Sequence, residues 1–224
     1  MARDNSPAER QRNKLERKQN QRESYARILI VTEGSKTEPN YLSEIRSSYR
    51  LHGTNVKVAP SALGTQPIQV VQYAKQLFDK GDPTKLIQIR AFDHVYAVFD
   101  RDDHATYHAA LSHAESLNQK LRNDENKPVT FKAIASVPSF ELWLLLHFED
   151  IQLTLHRDEV LRRLKRHIPD YEKGRKGAFK QTQAFLGTAI ERADRLAASF
   201  SAYDAPEPYT AVVDLVKLLT TLKP

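Results

Sequence analysis

The chain has 224 residues, of which 34 are Lys or Arg and 28 are Asp or Glu, so its formal net charge is +6. It contains no cysteine, which excludes disulfides, zinc–thiolate sites and thiol nucleophiles and fits the reducing cytoplasm. No apolar run is long enough to span a bilayer and the N-terminus is charged rather than signal-like, so we expect a cytoplasmic protein with no membrane partner.

Positive charge is concentrated in two segments. Residues 1–26 hold seven Lys or Arg against four Asp or Glu and almost nothing apolar, so we predict a basic, disordered tail that either solubilises the chain or docks a partner. The second segment runs from Arg157 to Lys180. Such a segment is usually a solvated face and less often a phosphate-binding one.

Short apolar segments alternate with segments of helical spacing through the first half of the chain. Residues 27–32 predict a buried strand, 33–40 a polar turn with a glycine that permits close backbone approach, and 41–49 a helix. A second strand at 56–59 precedes a second helix at 68–78. The pattern is therefore strand, loop, helix, repeated.

The repeat continues with a strand at 95–99, a helix at 109–121 and a strand at 129–135. It predicts an α/β fold with a mostly parallel sheet flanked by helices over residues 27–150. Residues 151–224 are predicted to form a C-terminal helical extension packed on the same domain. Its predicted helices cover residues 160–164, 179–200 and 209–222.

Carboxylates follow two of the predicted strands. Asp100, Asp102 and Asp103 come directly after the third strand and Glu33 comes after the first. Carboxylates this close together repel one another unless a cation, a proton or a basic ligand offsets the repulsion. A divalent metal ion is the commonest reason for such a group of acids. In parallel sheets the ligand lies beyond the carboxyl ends of the strands, where Glu33, Asp100 and Asp102 all fall.

A further acid, Glu141, stands in an apolar segment that begins at Pro138 and predicts a buried helix. A buried carboxylate must be paired or bind a cation. Alternatively, Glu141 is placed near the helix N-terminus because the helix dipole favours negative charge there. His147, near the end of the same helix, is predicted to be structural.

The sequence blocks at residues 28–38, 98–104 and 136–148 together resemble the RloB-like proteins found near restriction and abortive-infection loci. That family is similar to the Toprim catalytic fold of topoisomerases, primases and related nucleases. A Toprim site pairs a glutamate after the first strand with an Asp-x-Asp after a later strand. The resemblance therefore implies a Toprim-like (Rossmannoid) sheet and an antiphage defence role.

The resemblance also implies a catalytic set. Glu33 matches the Toprim glutamate, Asp100 and Asp102 match the Asp-x-Asp, and Glu141 is similar in placement to a further acid of Toprim nucleases. Carboxylate oxygens are hard ligands that suit Mg²⁺ or Mn²⁺, so we expect Glu33, Asp100 and Asp102 to hold the ion. Glu33 has a second possible role in proton transfer.

Three neighbouring residues complete the predicted site. Lys36, on the glycine turn, is placed to contact a substrate phosphate. Two roles are predicted for Arg101, which lies between two acids: it either contacts a substrate phosphate or pairs with those acids. His104 adjoins the acidic loop and is a candidate for proton transfer.

Three functions are consistent with this sequence. The first is a metal-dependent nuclease that cuts RNA, tRNA or DNA as a defence effector, with a defence-system protein as a possible partner and an oligomer as a possible state. The second is a non-catalytic nucleic-acid-binding accessory subunit of a restriction or defence complex. The third, a phosphotransferase or small-nucleotide hydrolase, has the least support because no Walker-type glycine-rich loop is present.

Overall fold

The computed structural model describes residues 26–222, so the predicted tail at 1–26 lies outside the described residues except for its last position. The elements, in chain order, are β1 Ile28–Thr32, α1 Thr37–Ser48, β2 Val56–Pro60, α2 Pro67–Lys80, β3 His94–Asp100, α3 Tyr107–Leu117, β4 Thr130–Val137, α4 Glu141–Leu145, α5 Arg157–His167, α6 Ala178–Thr182, α7 Leu186–Ser199, β5 Tyr209–Thr210 and α8 Val212–Thr221.

The described strands form one five-stranded sheet in the order β2-β1-β3-β4-β5. Neighbouring strands are parallel except for β5, which pairs antiparallel with β4. The chain moves outward from β1 to β2 and then returns to place β3 on the other side of β1. This reversal of strand order opens a crevice at the carboxyl ends of β1 and β3. The predicted α/β fold with a mostly parallel sheet is confirmed.

Helices cover both faces of the sheet because the strands are apolar on both sides. In β3, Tyr96 and Val98 pack with the core that contains α1, α4 and the helices after residue 150. Val95 and Phe99 face the other way, into the core formed with α2 and α3. Continuous burial of this kind is typical of parallel strands.

Two predicted helices after residue 150 differ from the observed ones. Tyr209 and Thr210, predicted as the start of the last helix, instead pair with the end of β4. Pairing with a strand edge outweighs the local helical spacing here. The single helix predicted at 179–200 is divided into α6, a 3-10 turn at Gln183–Phe185 and α7. The Thr182 hydroxyl donates to the carbonyl of Ala178 at this break.

The predicted buried helix after Pro138 is short. α4 spans Glu141–Leu145, and every one of its residues is buried. In the part of the chain that the structure describes, no helix combines the length and the apolar character needed to cross a membrane.

Candidate active site at the ends of β1 and β3

Glu33 and Asp100 meet at the reversal of strand order. The backbone N–H of Glu33 donates to the carbonyl of Val98 at 2.8 Å, which extends the β1–β3 pairing by one residue. The Glu33 side chain then turns towards β3, and its Oε2 accepts a hydrogen bond from the backbone N–H of Asp100 at 3.0 Å. The carboxylate of Glu33 is therefore fixed against the end of β3.

The loop after β3 is attached to the end of β4. The backbone N–H of Arg101 donates to the carbonyl of Ser136 at 2.8 Å, and that of Asp102 donates to the carbonyl of Pro138 at 3.3 Å. Asp102 has a φ of +32°, in a region that few residues other than Gly, Asn and Asp tolerate. Strained backbone of this kind clusters at functional sites.

Glu33, Asp102 and His104 form a group that could hold a metal ion, which we call the cation group. Each offers one ligand atom, and these atoms lie within 4.8 Å of one another. His104 Nε2 lies 3.5 Å from Glu33 Oε1. Within residues 26–222, the buried Oδ1 of Asp102 accepts no hydrogen bond. A cation would satisfy this buried oxygen, so the group fits a bound ion.

Three further carboxylates, Glu38, Asp100 and Glu141, lie behind the cation group. Glu38 is buried in the first turn of α1, and Glu141 is buried at the start of α4. Burial, with repulsion from Glu38, Glu141 and Glu33, raises the pKa of Asp100 well above its ordinary value. We call Glu33, Glu38, Asp100, Asp102 and Glu141 together the acidic cluster.

The pKa values of two other members are also raised. Burial, with repulsion from Glu141 and Glu33, raises the pKa of Glu38 to about 7. Burial raises the pKa of Glu33 as well, although its hydrogen bond from Asp100 and the nearby His104 oppose the rise. A cluster that holds protons near neutral pH binds a cation by exchanging protons for it.

Glu141 is paired within the protein. Its Oε2 accepts from the Ser139 hydroxyl at 2.7 Å, and its Oε1 accepts from the Tyr171 hydroxyl at 3.2 Å. The ammonium of Lys173 also lies 3.2 Å from Oε1. The pairing expected of a buried carboxylate is thus present. Tyr171 and Lys173 come from the segment between α5 and α6, and Ser139 comes from the turn before α4.

Two cations from the C-terminal part of the chain therefore reach the acidic cluster. Besides Lys173, Arg157 at the start of α5 places Nη1 2.9 Å from Asp102 Oδ2. Arg157 is about half exposed, at 46% of its side-chain surface. The pair is therefore accessible to solvent and can be displaced by an ion or a substrate.

The two residues predicted to bind phosphate differ in their surroundings. Lys36 is exposed at the N-cap of α1, and its side chain lies against Gly174. Arg101 folds back on its own loop, where it donates to the carbonyl of Asp102 and stacks over the Tyr107 ring at 5.3 Å. The phosphate-binding role of both residues stays a prediction.

The model of the RloB-like protein family matches residues 28–219. This chain belongs to the RloB-like family. The match runs from β1 into α8 and includes the whole acidic cluster together with Arg157 and Lys173. No curated protein sequence matches this RloB-like chain, and no solved structure matches it.

In this RloB-like protein the sequence prediction and the geometry assign some residues differently. Glu33 and Asp102, predicted as metal ligands, both belong to the cation group. His104, predicted for proton transfer, is its third member, and Asp100, predicted as a ligand, is not part of it. Asp100 lies instead with Glu38 and Glu141 behind the cation group, and its backbone N–H orients Glu33.

Glu38 is the residue of this RloB-like site that sequence reasoning missed. An acid in the first turn of a helix is ordinarily explained by the helix dipole. The sequence does hold an indication, since Glu38 lies five residues after Glu33 and in the first turn of the helix that follows the same strand. Gly34 makes room for it: a Cβ at Gly34 would stand 2.3 Å from Glu38 Oε2.

Proposed function

We propose that this protein is a metal-dependent nuclease with a Toprim-like site, which hydrolyses phosphodiester bonds of RNA, tRNA or DNA as a cytoplasmic effector of antiphage defence. The observation that carries the proposal is the cation group of Glu33, Asp102 and His104 at the reversal of strand order. Ligand sites of open α/β sheets lie at this position. The net positive charge of +6 favours a polyanionic substrate.

The residues of the site have distinct parts in the proposed reaction. Glu33 and Asp102 would hold a divalent ion through hard oxygens, and His104 adds a nitrogen that Mn²⁺ accepts more readily than Mg²⁺ does. The bound ion supplies charge for the phosphodiester and a water of lowered pKa. Glu38, with a pKa of about 7, is suited to give up or take a proton near neutral pH.

A second candidate is a non-catalytic subunit that binds nucleic acid within a restriction or defence complex. Two contacts favour it: Asp102 pairs with Arg157, and Glu141 pairs with Lys173. Acids that are neutralised by the protein's own cations suit a site that binds a strand without cutting it. The two candidates differ in whether an added metal displaces Arg157 from Asp102.

Cleavage of labelled polymers tests the proposal. Purified protein is incubated with tRNA, single-stranded RNA and duplex DNA, each with Mn²⁺, with Mg²⁺ and with excess chelator. We expect metal-dependent cleavage of at least one polymer and its loss with chelator. Salt-sensitive binding with no cleavage of any polymer would overturn the nuclease proposal in favour of the accessory subunit.

Matched variants assign the activity to the site. Asp102→Asn keeps a side chain that tolerates a positive φ and removes the charge of a predicted metal ligand. We expect a loss of cleavage of about a hundredfold or more, the scale found when one group that stabilises the transition state electrostatically is removed. Asp103→Asn is the control, because Asp103 is exposed in the same loop and lies outside the cation group. Equal rates for the two variants would refute the assignment.

A further inference from the structure

Arg157 connects the C-terminal part of the chain to the cation group. It is the first residue of α5, and its Nη1 lies 2.9 Å from Oδ2 of Asp102. The other carboxylate oxygen of Asp102, Oδ1, is buried and accepts no hydrogen bond from residues 26–222. An ion bound by Oδ1 and the guanidinium of Arg157 would therefore meet at a single carboxylate.

Most of the Arg157 guanidinium is unused. An arginine side chain carries five N–H donors in a planar fork. Among the residues that the structure describes, Asp102 is the one partner of Arg157, and the contact is made through Nη1. The side chain is 46% exposed. Arg157 thus holds an acid of the cation group with one nitrogen, and its Nε and Nη2 are free to bind another group.

The other cations around the site are used differently. Lys173 lies 3.2 Å from Glu141, whose side chain is 3% exposed, so its ammonium compensates a buried carboxylate. Arg101 donates to a carbonyl of its own loop and stacks on an aromatic ring. Lys36 forms no ion pair with an acid of the cation group within the described residues. Of these four cations, Arg157 is the one that contacts the cation group and keeps free donors.

A bound ion would loosen the pair between Arg157 and Asp102. The ion and the guanidinium are both cations that share the charge of one carboxylate, so they repel each other. The pair is partly exposed, and exposed ion pairs are weak. A phosphodiester at the ion offers the guanidinium a second anionic partner, which arginine binds through two parallel N–H bonds. Ion and phosphate together therefore favour movement of the guanidinium from Asp102 to the phosphate.

We propose that Arg157 binds the phosphate of the phosphodiester that is to be cleaved, and that it does so once an ion occupies the cation group. The inference rests on the proposed nuclease function and deepens it by assigning the substrate-binding cation and an order in which the ion precedes the substrate. Without the ion, Arg157 neutralises Asp102. With the ion in place, the same guanidinium supplies positive charge and hydrogen bonds to the phosphate.

Binding at saturating ion concentration separates a contact with phosphate from an effect on the ion. Fluorescence anisotropy is measured for labelled tRNA, single-stranded RNA and duplex DNA, each with saturating Ca²⁺, a hard cation that suits carboxylate oxygens, and with excess chelator. A gel confirms that the polymer is intact. For at least one polymer, Ca²⁺ should tighten wild-type binding. Arg157→Gln should weaken binding with Ca²⁺ by roughly tenfold or more, the scale of a hydrogen bond to a charged group, and should weaken it less with chelator.

Two further variants control for charge and for geometry. Arg166→Gln removes the same charge from an exposed position on α5, about two and a half turns beyond Arg157 and so on the opposite side of the helix. It should change binding little, and by the same factor with and without Ca²⁺. Arg157→Lys keeps the charge but not the planar fork, so it should recover part of the affinity that Arg157→Gln loses.

The outcomes separate the role of Arg157 from the nuclease activity. If Arg157→Gln shows the ion-dependent loss but the wild type cleaves no polymer with Mn²⁺ or Mg²⁺, the phosphate contact stands and the nuclease proposal fails. If cleavage occurs, Arg157→Gln should raise KM at saturating Mn²⁺. Equal losses with Ca²⁺ and with chelator would overturn the inference, because they would indicate a general effect of charge. A loss that disappears as Ca²⁺ is raised further would overturn it too, since Arg157 would then act through the ion alone.

Discussion

The backbone N–H of Asp100 donates to Oε2 of Glu33 at 3.0 Å. The last residue of β3 therefore orients the carboxylate that directly follows β1. This hydrogen bond leaves Oε1 of Glu33 facing His104, at 3.5 Å. The orientation of Glu33 therefore depends on the register of β1 and β3, whereas Asp102 and His104 of the cation group lie in the loop that follows β3. A carboxylate held by the sheet in this way is set before any ion or substrate arrives.

Removing the charge of Glu33 should weaken metal binding. In Glu33→Gln the side-chain oxygen can still accept from Asp100, so the fold is kept while a charged ligand is lost. We expect the Kd for Mn²⁺, measured by electron paramagnetic resonance, to rise at least tenfold, the lower limit seen even for changes around a metal site. Asp103→Asn should keep wild-type affinity. Unchanged affinity in Glu33→Gln would mean that the ion binds elsewhere.

The raised pKa of Glu38 predicts how stability depends on pH. The carboxyl has a pKa of about 7 in the folded protein against an ordinary 4.5, so folding favours its protonated form. The free energy of unfolding should therefore fall as pH rises from 4.5 to 7, by about 3 kcal/mol for this group. Glu38→Gln mimics the protonated acid, so it should be more stable than the wild type at pH 8 and equal to it at pH 4.5.

Urea unfolding without metal at the two pH values measures this difference. Glu172→Gln is the control, because Glu172 is exposed and its neutralisation should change stability little. Saturating Mn²⁺ should reduce the advantage of Glu38→Gln at pH 8, since a nearby cation offsets the repulsion within the acidic cluster. A Glu38→Gln variant that is no more stable than the wild type at pH 8 would contradict the assigned environment.

Gly34 should be intolerant of a side chain for reasons of space. A Cβ there would stand 2.3 Å from Glu38 Oε2, so Gly34→Ala must displace the Glu38 carboxylate. We expect a loss of about 1–3 kcal/mol in unfolding free energy, as for other overpacked sites, together with weaker Mn²⁺ binding. Gly187→Ala is the comparison, because a Cβ at Gly187 meets nothing within 4 Å and alanine favours the helix. Equal effects of the two changes would be evidence against this packing.

The sequence predicted that Glu33 and Asp100 lie at the same edge of the sheet, because this placement follows from the ends of two parallel strands alone. Five apolar residues precede Asp100, and four apolar residues and Thr32 precede Glu33. Both segments indicate parallel strands, and parallel strands end at one edge of the sheet. The partners of the acids could not be predicted in the same way. Arg157 and Lys173 reach the acidic cluster from 55 or more residues further along the chain than Asp102, and the segment from Arg157 to Lys180 holds several other Lys and Arg residues that do not differ from them in sequence pattern.

Local patterns also failed where tertiary contacts decide the structure. Tyr209 and Thr210 continue the apolar spacing of α8, yet they pair with the end of β4 and extend the sheet. Glu38 has the position of a helix-capping acid, and only its burial and its contact with Gly34 show that it belongs to the acidic cluster. The pairing of Tyr209 and Thr210 and the burial of Glu38 are both decided by tertiary contacts, which local sequence patterns do not contain.

Arg157 should compete with the metal for Asp102. Its Nη1 lies 2.9 Å from Asp102 Oδ2, and an accessible pair of this kind contributes roughly 0.2–1 kcal/mol. Arg157→Gln should therefore tighten Mn²⁺ binding up to about fivefold, as measured by isothermal titration calorimetry. Arg162→Gln is the control, because Arg162 on the same helix pairs with Glu159. Weaker Mn²⁺ binding in Arg157→Gln would show that Arg157 positions Asp102 instead of competing for it.

His147 should lower the stability of the protein in acid, whereas Glu38 should lower it as pH rises. It is buried, its Nδ1 contacts the Trp143 carbonyl at 3.0 Å, and its Nε2 has no hydrogen-bond partner within residues 26–222. Burial lowers its pKa from 6.5 to about 4, so the unfolded chain binds a proton more readily than the folded one. Stability from this group is present above pH 6.5 and is lost as pH falls towards 4, by about 3 kcal/mol.

His147→Gln should flatten the dependence of the unfolding free energy on pH across that interval, as measured by urea unfolding. His113→Gln, at a partly exposed position on α3, should leave that dependence unchanged. A curve for His147→Gln as steep as that of the wild type would assign the acid sensitivity to other groups.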